Sequence, residues 1–493
     1  MSTVPFQTIP QNLRLPLFFA EVNNSLANTN QQNQRALIIG QITAAGAATP
    51  NVPLICQGKS DAVVQGGAGS MLALMTQAYI NADSFGEVWY LPLSDAAGAI
   101  AATGTITYAG APTAAGTVSL YIAGQLVTVA VSTTDTPTTI AASTVAAINA
   151  ISSLPVSASA AVGVVTLTAL NKGLAGNDID LRLNYLGTAG GQVTPPGITV
   201  TIAAMANGAT NPTLATALAN LGDKAFDFIV CPYTDTASLN ALQSFLSDQN
   251  GRWSWEQQEY GHVFAAYRGT FAAQTTLGTS RNNQHESILG FYDSPSPNWI
   301  WAADLAGTAA VALRADPGRP LQTLTLSTVL APPLQSRFPL TERNTLLLDG
   351  ISTFTVQQDG TVALENVITT YQKNSFGQPD NSYLEIETMF LLMFVLRDLA
   401  SVITSQFSRM KLAADGTRFA PGAAIVTPSI IKAALIAEYQ NLEFQGYVQD
   451  SEGFAAGLIV QQNATNPNRV DVLWPGELIN QLRTFALLAQ FRL

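Results

Sequence analysis

Two histidines, two cysteines and one glycine-rich turn are the residues of this 493-residue chain whose chemistry would matter most. His262 opens the apolar run His262-Val-Phe-Ala-Ala-Tyr267, which reads as a strand, so a satisfied core histidine is the simpler reading. His285 precedes Glu286 at a second strand start and has no partner at metal-ligand spacing; neither HExxH nor CxxC occurs. Neither a metal nor a cofactor is therefore expected. Cys56 and Cys231 form no motif, and Cys231 within Phe226-Asp-Phe-Ile-Val-Cys-Pro232 reads as a buried thiol. The absence of a disulfide framework fits a reducing compartment. Gly66-Gly-Ala-Gly-Ser70 has the texture of a phosphate loop but lacks the Gly-Lys-Ser/Thr ending. It reads as a turn into a helix, with glycines that let backbones approach closely.

Gly278-Thr-Ser280 resembles the serine motif of subtilisins. That chemistry needs a small-residue helix after the nucleophile and a histidine well before it in chain order. Here Arg281-Asn-Asn follows, and His262 precedes by too few residues to span a large domain. Ser280 is read as a loop residue, with no catalytic role for any of the three.

Stepping from these residues to the elements around them, a rhythm appears at residue 36. Ala36-Leu-Ile-Ile-Gly40 reads as a buried strand, 69–81 as a helix and 87–92 as the next strand. From about 94 to 211 the composition shifts to Ala, Thr, Gly, Val and Ser with few charges. Alternating stretches at 105–108, 117–122, 126–131 and 164–168 predict strands, and 138–149 a helix, so a β-rich insertion is expected. The core rhythm then resumes, with helices at 212–221, 237–246, 270–277 and 299–314 and strands at 226–231, 262–267 and 287–291. Asp359-Gly360 marks a hairpin between 352–357 and 361–366. Two helices follow, at 383–412 and 428–441, and then strands at 457–461 and 469–473. The fold class is α/β: a discontinuous sandwich-type core with a mixed sheet, an inserted β-rich domain, and extended arms at both ends.

Composition narrows the function. The chain is 47% hydrophobic and 11% charged, well under the usual quarter or so, which points to surface covered by partners. A net charge of −11 argues against direct nucleic-acid binding. The longest uncharged stretch of the 383–412 segment stops at Arg397-Asp398, too short to span a bilayer, so no membrane insertion is expected. The N-terminus shows no basic region leading into an apolar core, so no secretory signal is expected.

The two ends carry the strongest functional signal. At the C-terminal end Phe485, Leu487, Ala489, Phe491 and Leu493 share one face of a period-two pattern. Burying that face would contribute roughly 6–12 kcal/mol as an upper bound. Either this is the last strand of the chain's own sheet, or it is donated to another copy. Near the N-terminus Leu13, Leu15, Leu17, Phe18, Phe19 and Val22 form a second apolar extended stretch, and Pro16 places it at an edge or in an arm. The uncharged segment 23–34 reads as its flexible tether.

Several stretches resemble the contractile tail sheath protein of Mu-like myophages. They include Leu15-Pro-Leu-Phe-Phe-Ala-Glu-Val-Asn-Asn24, Gly67-Ala-Gly-Ser-Met-Leu-Ala73, Glu87-Val-Trp-Tyr-Leu-Pro92 and Asp415-Gly-Thr-Arg-Phe-Ala-Pro-Gly422. Asn466-Pro-Asn-Arg-Val-Asp-Val-Leu473, Leu478-Ile-Asn-Gln-Leu-Arg-Thr-Phe-Ala486 and the closing Phe491-Arg-Leu493 complete the likeness, which leaves out the insertion. The family's subtilisin-like domain name implies no protease here, since the triad is missing. The resemblance implies a virion subunit of the contractile tail, assembled in the bacterial cytoplasm as a helical stack of six-subunit rings. It also implies partners in the tail tube, the baseplate and the tail terminator, and exchange of both terminal strands between subunits. The expected organisation is an arm and tether at 1–35, a core at 36–95 and 210–470, an outer insertion at 96–209 and an arm at 471–493. Lys432 and Glu438 on the 428–441 helix are candidates for the face that meets the tube. Two other readings stay open: a non-contractile virion or surface-layer subunit, and a divergent serine hydrolase.

Overall fold

A computed structural model describes residues 34–492, so the N-terminal candidates Leu13, Leu15, Leu17, Phe18, Phe19 and Val22 and the last residue Leu493 lie outside the described part. The described chain forms two compact units, one of residues 34–391 with 480–492 and one of residues 392–479.

The larger unit is organised on a six-stranded sheet in the order Glu286–Phe291, His262–Arg268, Phe228–Val230, Ala36–Gln41, Val88–Leu93, Leu54–Ile55. The first five strands are parallel and the last is antiparallel, which makes the sheet mixed. Ala36–Gln41 is buried at every residue, as a strand covered on both faces must be. Period two shows both covers in His262–Arg268, two strands along the sheet. His262 and Phe264 face the ring of Phe390, at 6.0 and 6.4 Å. Ala265, on the opposite face, packs with Leu239 of the helix Thr236–Leu246. The helices Met71–Ala82 and Asn298–Ala315 pack on each other, and a Cβ on Gly307 would meet the Tyr79 carbonyl at 2.7 Å.

The insertion follows Val88–Leu93 in the chain and builds two antiparallel sheets. Four strands run in the order Ile198–Ala206, Thr103–Gly110, Val164–Ala169, Val156–Ala161, and three in the order Gln125–Val131, Gly116–Ile122, Leu181–Leu183. The helix Pro137–Ala150 completes it, capped by Thr136, whose hydroxyl accepts from Thr139 N. The insertion is fastened to the core by specific bonds. Asn171 accepts from Met71 N at 2.8 Å and donates to the Ile42 carbonyl at 3.0 Å. Gln41 donates to the Lys172 carbonyl at 2.6 Å, and Arg182 pairs with Asp293 at 2.7 Å.

The smaller unit holds the helices Pro428–Phe444 and Ser451–Gly457, and the helix Ile386–Phe407 ends in it. Its cluster centres on Tyr439, stacked on Phe454 at 3.7 Å, with Trp474 against both. Residues 392–479 therefore have a core of their own, where the 210–470 span reads as one block in the sequence. The proposed arm boundary at 471 also moves. Val470–Leu473 pairs antiparallel with Ile459–Gln462, and Glu477–Leu478 pairs with Val448–Gln449, so unpaired chain begins only after these.

Candidate assembly interface

The residues that suggested catalysis are each occupied by structural work. Ser280 ends the helix Phe271–Thr279 and donates its hydroxyl to the Leu277 carbonyl at 2.6 Å. His262 bonds Ser287 Oγ at 2.9 Å inside the sheet, where burial first and the neighbouring His285 second push its pKa well down, so the ring is neutral. His285 pairs instead with Asp248 at 2.8 Å and packs on Trp253 at 4.5 Å between centroids. Serine and histidines thus go to separate partners, and no nucleophile–base contact forms among them. The Cys231 thiol is buried, and desolvation pushes it up to about 12, which leaves it unreactive. In the glycine-rich turn Ser70 caps the next helix, accepting from Ala73 N at 3.1 Å. Gly69 has φ of 71°, and a Cβ there would strike the Leu154 carbonyl at 2.3 Å, so this turn is a seat for the insertion. Among the described residues no group of three or more His, Cys, Asp or Glu is placed to hold a metal.

The C-terminal segment behaves differently. The alternation predicts a strand at 482–493, but in the single chain residues 482–492 form none. An extended segment has no internal hydrogen bonds, so it becomes a strand only against a sheet edge, and among the described residues no edge receives it. Phe485 is 80% exposed, Leu487 76% and Phe491 84%; Ala489 is exposed as well. Leu488 on the other face is 83% exposed, so neither face is covered. The reading in which this is the last strand of the chain's own sheet is not the one observed.

The base of that segment is held firmly. Arg483 bonds Glu385 at 2.7 Å and also Glu387, which is fully buried in the first turn of Ile386–Phe407. Burial raises the Glu387 pKa, and Arg483 draws it back toward the charged form. Glu387 also accepts from Leu321 N at 2.8 Å, and the Leu482 carbonyl accepts from Gln322 at 3.2 Å. The sequence reading missed Arg483. Its signal was a cation set just ahead of a run whose only other charged side chain is Arg492.

In the smaller unit, Ile459–Gln462 and Val470–Leu473 form a two-stranded sheet with no third strand among the described residues. Ile459, Val472 and Leu473 are 50%, 45% and 59% exposed. Both edges are open, and a bare two-stranded hairpin is a marginal structure in water. Lys432 and Glu438 are both half-buried on Pro428–Phe444. Six residues apart, they lie about 120° apart around the helix. Glu438 accepts from Asn441 at 3.0 Å. It also faces Asp398, whose pKa rises to about 6 through burial and this like charge. The two candidates therefore do not form one compact patch.

Comparison with known proteins points to the same kind of molecule. Residues 207–370 match the phage tail sheath protein central domain, and residues 378–492 match the phage tail sheath C-terminal domain. Over 491 residues the chain is 40% identical to the Mu-like prophage FluMu tail sheath protein of Haemophilus influenzae, covering 99% of each. Among solved structures, the sheath tail protein of Desulfitobacterium hafniense is similar with a TM-score of 0.49 at 14% identity, over 95% of this chain and 97% of that one. A chain of the anti-feeding prophage baseplate gives a TM-score of 0.46 at 9% identity, covering 100% of both.

Proposed function

Since the chain belongs to the phage tail sheath family, we propose that it works as the polymerising subunit of a contractile tail sheath, linked to its neighbours by exchanged terminal strands. The sheath surrounds a tail tube and shortens to drive that tube through the host envelope. In this reading the subunits form a helical stack of six-subunit rings, and the tube, baseplate and tail terminator are the other partners. The observation that carries strand exchange is the segment 484–492. Its large apolar side chains are 76% exposed or more in a lone subunit, although its base is locked by Arg483. The open edges of the Ile459–Gln462 and Val470–Leu473 hairpin offer the kind of template that β-augmentation uses. The N-terminal stretch from Leu13 to Val22 is proposed as the second exchanged strand.

Contraction in such a polymer needs no nucleotide. The extended lattice is held as a kinetically trapped packing, and a trigger releases it to a more stable one. Strands that span subunits keep the polymer continuous while rigid bodies rotate. The insertion is proposed to lie on the outside, away from the polymer contacts. Neither the serine nor the histidines are assigned a catalytic role.

Truncation after Thr484 tests the exchange. The shortened chain should melt as the full one does and sediment as a monomer. Aggregation or loss of the melting transition would place the strand in its own core instead, and a folded polymer would show that the strand is not a linker.

A further inference from the structure

A loop built to present one aromatic ring stands before the strand His262–Arg268. Trp255 is 77% exposed, yet its neighbours are anchored. Arg252 pairs with Glu259 at 2.7 Å, donates to the Gly222 carbonyl and lies over the Phe245 ring. Trp253 donates to the Gly261 carbonyl at 2.9 Å and packs on Tyr260 and His285. Ser254 is 2% exposed, and Gln258 folds back onto the Trp255 carbonyl at 3.2 Å. An indole held in water on so rigid a mount has its ordering entropy already settled before any partner arrives. Glu256, exposed beside it, adds a negative charge.

A cleft of about 300 Å³ lies elsewhere on the same unit, lined by Gly290, Leu334, Arg337, Phe338, Arg343 and Phe354 among others. Arg343 is neutralised by Glu365 at 2.8 Å. Arg337 is positioned by its bond to the Pro332 carbonyl at 2.9 Å and pairs with no carboxylate among the described residues. Leu334, on the lining, is 77% exposed. The cleft thus sets apolar side chains beside a cation that no described carboxylate neutralises, suited to an aromatic side chain flanked by an acid.

The two features cannot meet within one chain. The Trp255 loop is tied to Gly261, at the N-terminal start of the parallel strands, whereas Gly290 is next to last in Glu286–Phe291. A strand of that length separates them by roughly 20 Å. We propose that the Trp255–Glu256 turn of one subunit docks into the Arg337 cleft of a second copy, as a head-to-tail contact of the sheath lattice. Knob and socket are different surfaces, so a contact that uses one of each per subunit pair is heterologous, and it repeats into a filament when its rotation does not close. Trp and Arg are also the residue types that dominate interface energetics. The inference rests on the sheath reading above and adds a contact that strand exchange does not supply.

Charge exchange in trans tests it. Glu256→Arg places like charges across the contact, and so does Arg337→Glu, so each purified variant alone should lose tube mass at least tenfold by sedimentation and electron microscopy. Mixing the two variants lets each knob face an opposite charge wherever the two alternate, and combining both changes in one chain does so at every contact; each should restore tubes. Single variants that assemble like the unaltered chain overturn the contact, as does loss without restoration in the mixture and the double variant. An unaltered chain that forms no tube overturns both this contact and the sheath reading, whereas unaltered tubes with indifferent variants overturn the contact alone. Should Arg337→Glu fail to melt normally, Glu256→Arg and Trp255→Ala decide, and wild-type tubes from either would sink the proposal.

Discussion

Ala36–Gln41 and the segment 484–492 are both apolar and extended, and they meet opposite fates. Leu37, Ile38 and Ile39 are 0% exposed, with parallel neighbours on both sides. Phe485, Leu487 and Phe491 are at least 76% exposed, with no ladder at all. Hydrophobicity does not separate the two. The availability of a sheet edge does: the central sheet closes around its first strand, while residues 482–492 pair with none of the described edges, and a two-stranded hairpin with both edges open lies in the smaller unit. In the strand-exchange reading, the donated strand is the one that the described fold of its own chain leaves unpaired.

The sharpest way to break this comparison is to place a charge in each segment. Ile38→Asp combines loss of a buried side chain, about 2–5 kcal/mol, with an unpaired buried charge, and should abolish the folded state in a thermal melt. Leu487→Asp should shift unfolding by no more than about 0.5 kcal/mol, as exposed substitutions do, while removing polymer from the sedimenting fraction. A destabilised Leu487→Asp monomer would erase the distinction.

A second test concerns how the edge of the central sheet is tied down. Glu286 is fully buried and accepts from Arg281 at 2.8 and 3.0 Å, from Asn283 at 3.0 Å and from Thr370 at 2.9 Å. Arg281→Ala would strand that carboxylate and should cost about 3–5 kcal/mol in denaturant unfolding. A loss under about 1 kcal/mol would mean the network does not hold this strand.

The smallest of these effects is a pH dependence confined to the core. Asp304 on Asn298–Ala315 is fully buried, and burial lifts its pKa to about 6 against the pull of the Thr328 and Val329 N–H groups. Its folded pKa lies above the unfolded value, so its contribution is complete below about pH 4 and is lost as pH rises through about 6. Stability should fall by something on the order of 2 kcal/mol across that window from this group. Asp304→Asn should remove that part of the slope, measured as the difference between the two melting-versus-pH curves. Identical curves would show that Asp304 does not titrate there.

Much of the core was legible because its periods are long and uninterrupted. The helices at 71–82, 298–315 and 386–407 and the strand at 36–41 all appear where apolar spacing predicts them. Leu340–Leu348 escaped because only Leu346 of its nine residues is buried, so it has no apolar stripe to read. Lys59–Gly66 escaped for a similar reason, with Ala62 and Gly66 its only buried positions. The role of Ser280 could be judged in advance from missing partners. The rival partners of His262 and His285 could not, because Ser287 and Asp248 are brought to them by strand pairing and by the loop around Arg252.

By itself the sequence determined the α/β rhythm, the change of composition at the insertion, the lack of a serine-triad pattern, and an apolar alternation at 485–493. These are local properties, set by side-chain spacing and chemistry within a few residues of one another. Only the tertiary structure decided that residues 392–479 have their own core and that Arg483 anchors the tail. It likewise decided that residues 482–492 pair with no described edge and that the loop tied to Gly261 and the cleft lined by Gly290 lie toward opposite ends of the sheet. Those facts depend on which distant segments close the sheet and which edges remain open. That is settled by the competition among strands for hydrogen-bonded neighbours, and no single segment records its outcome.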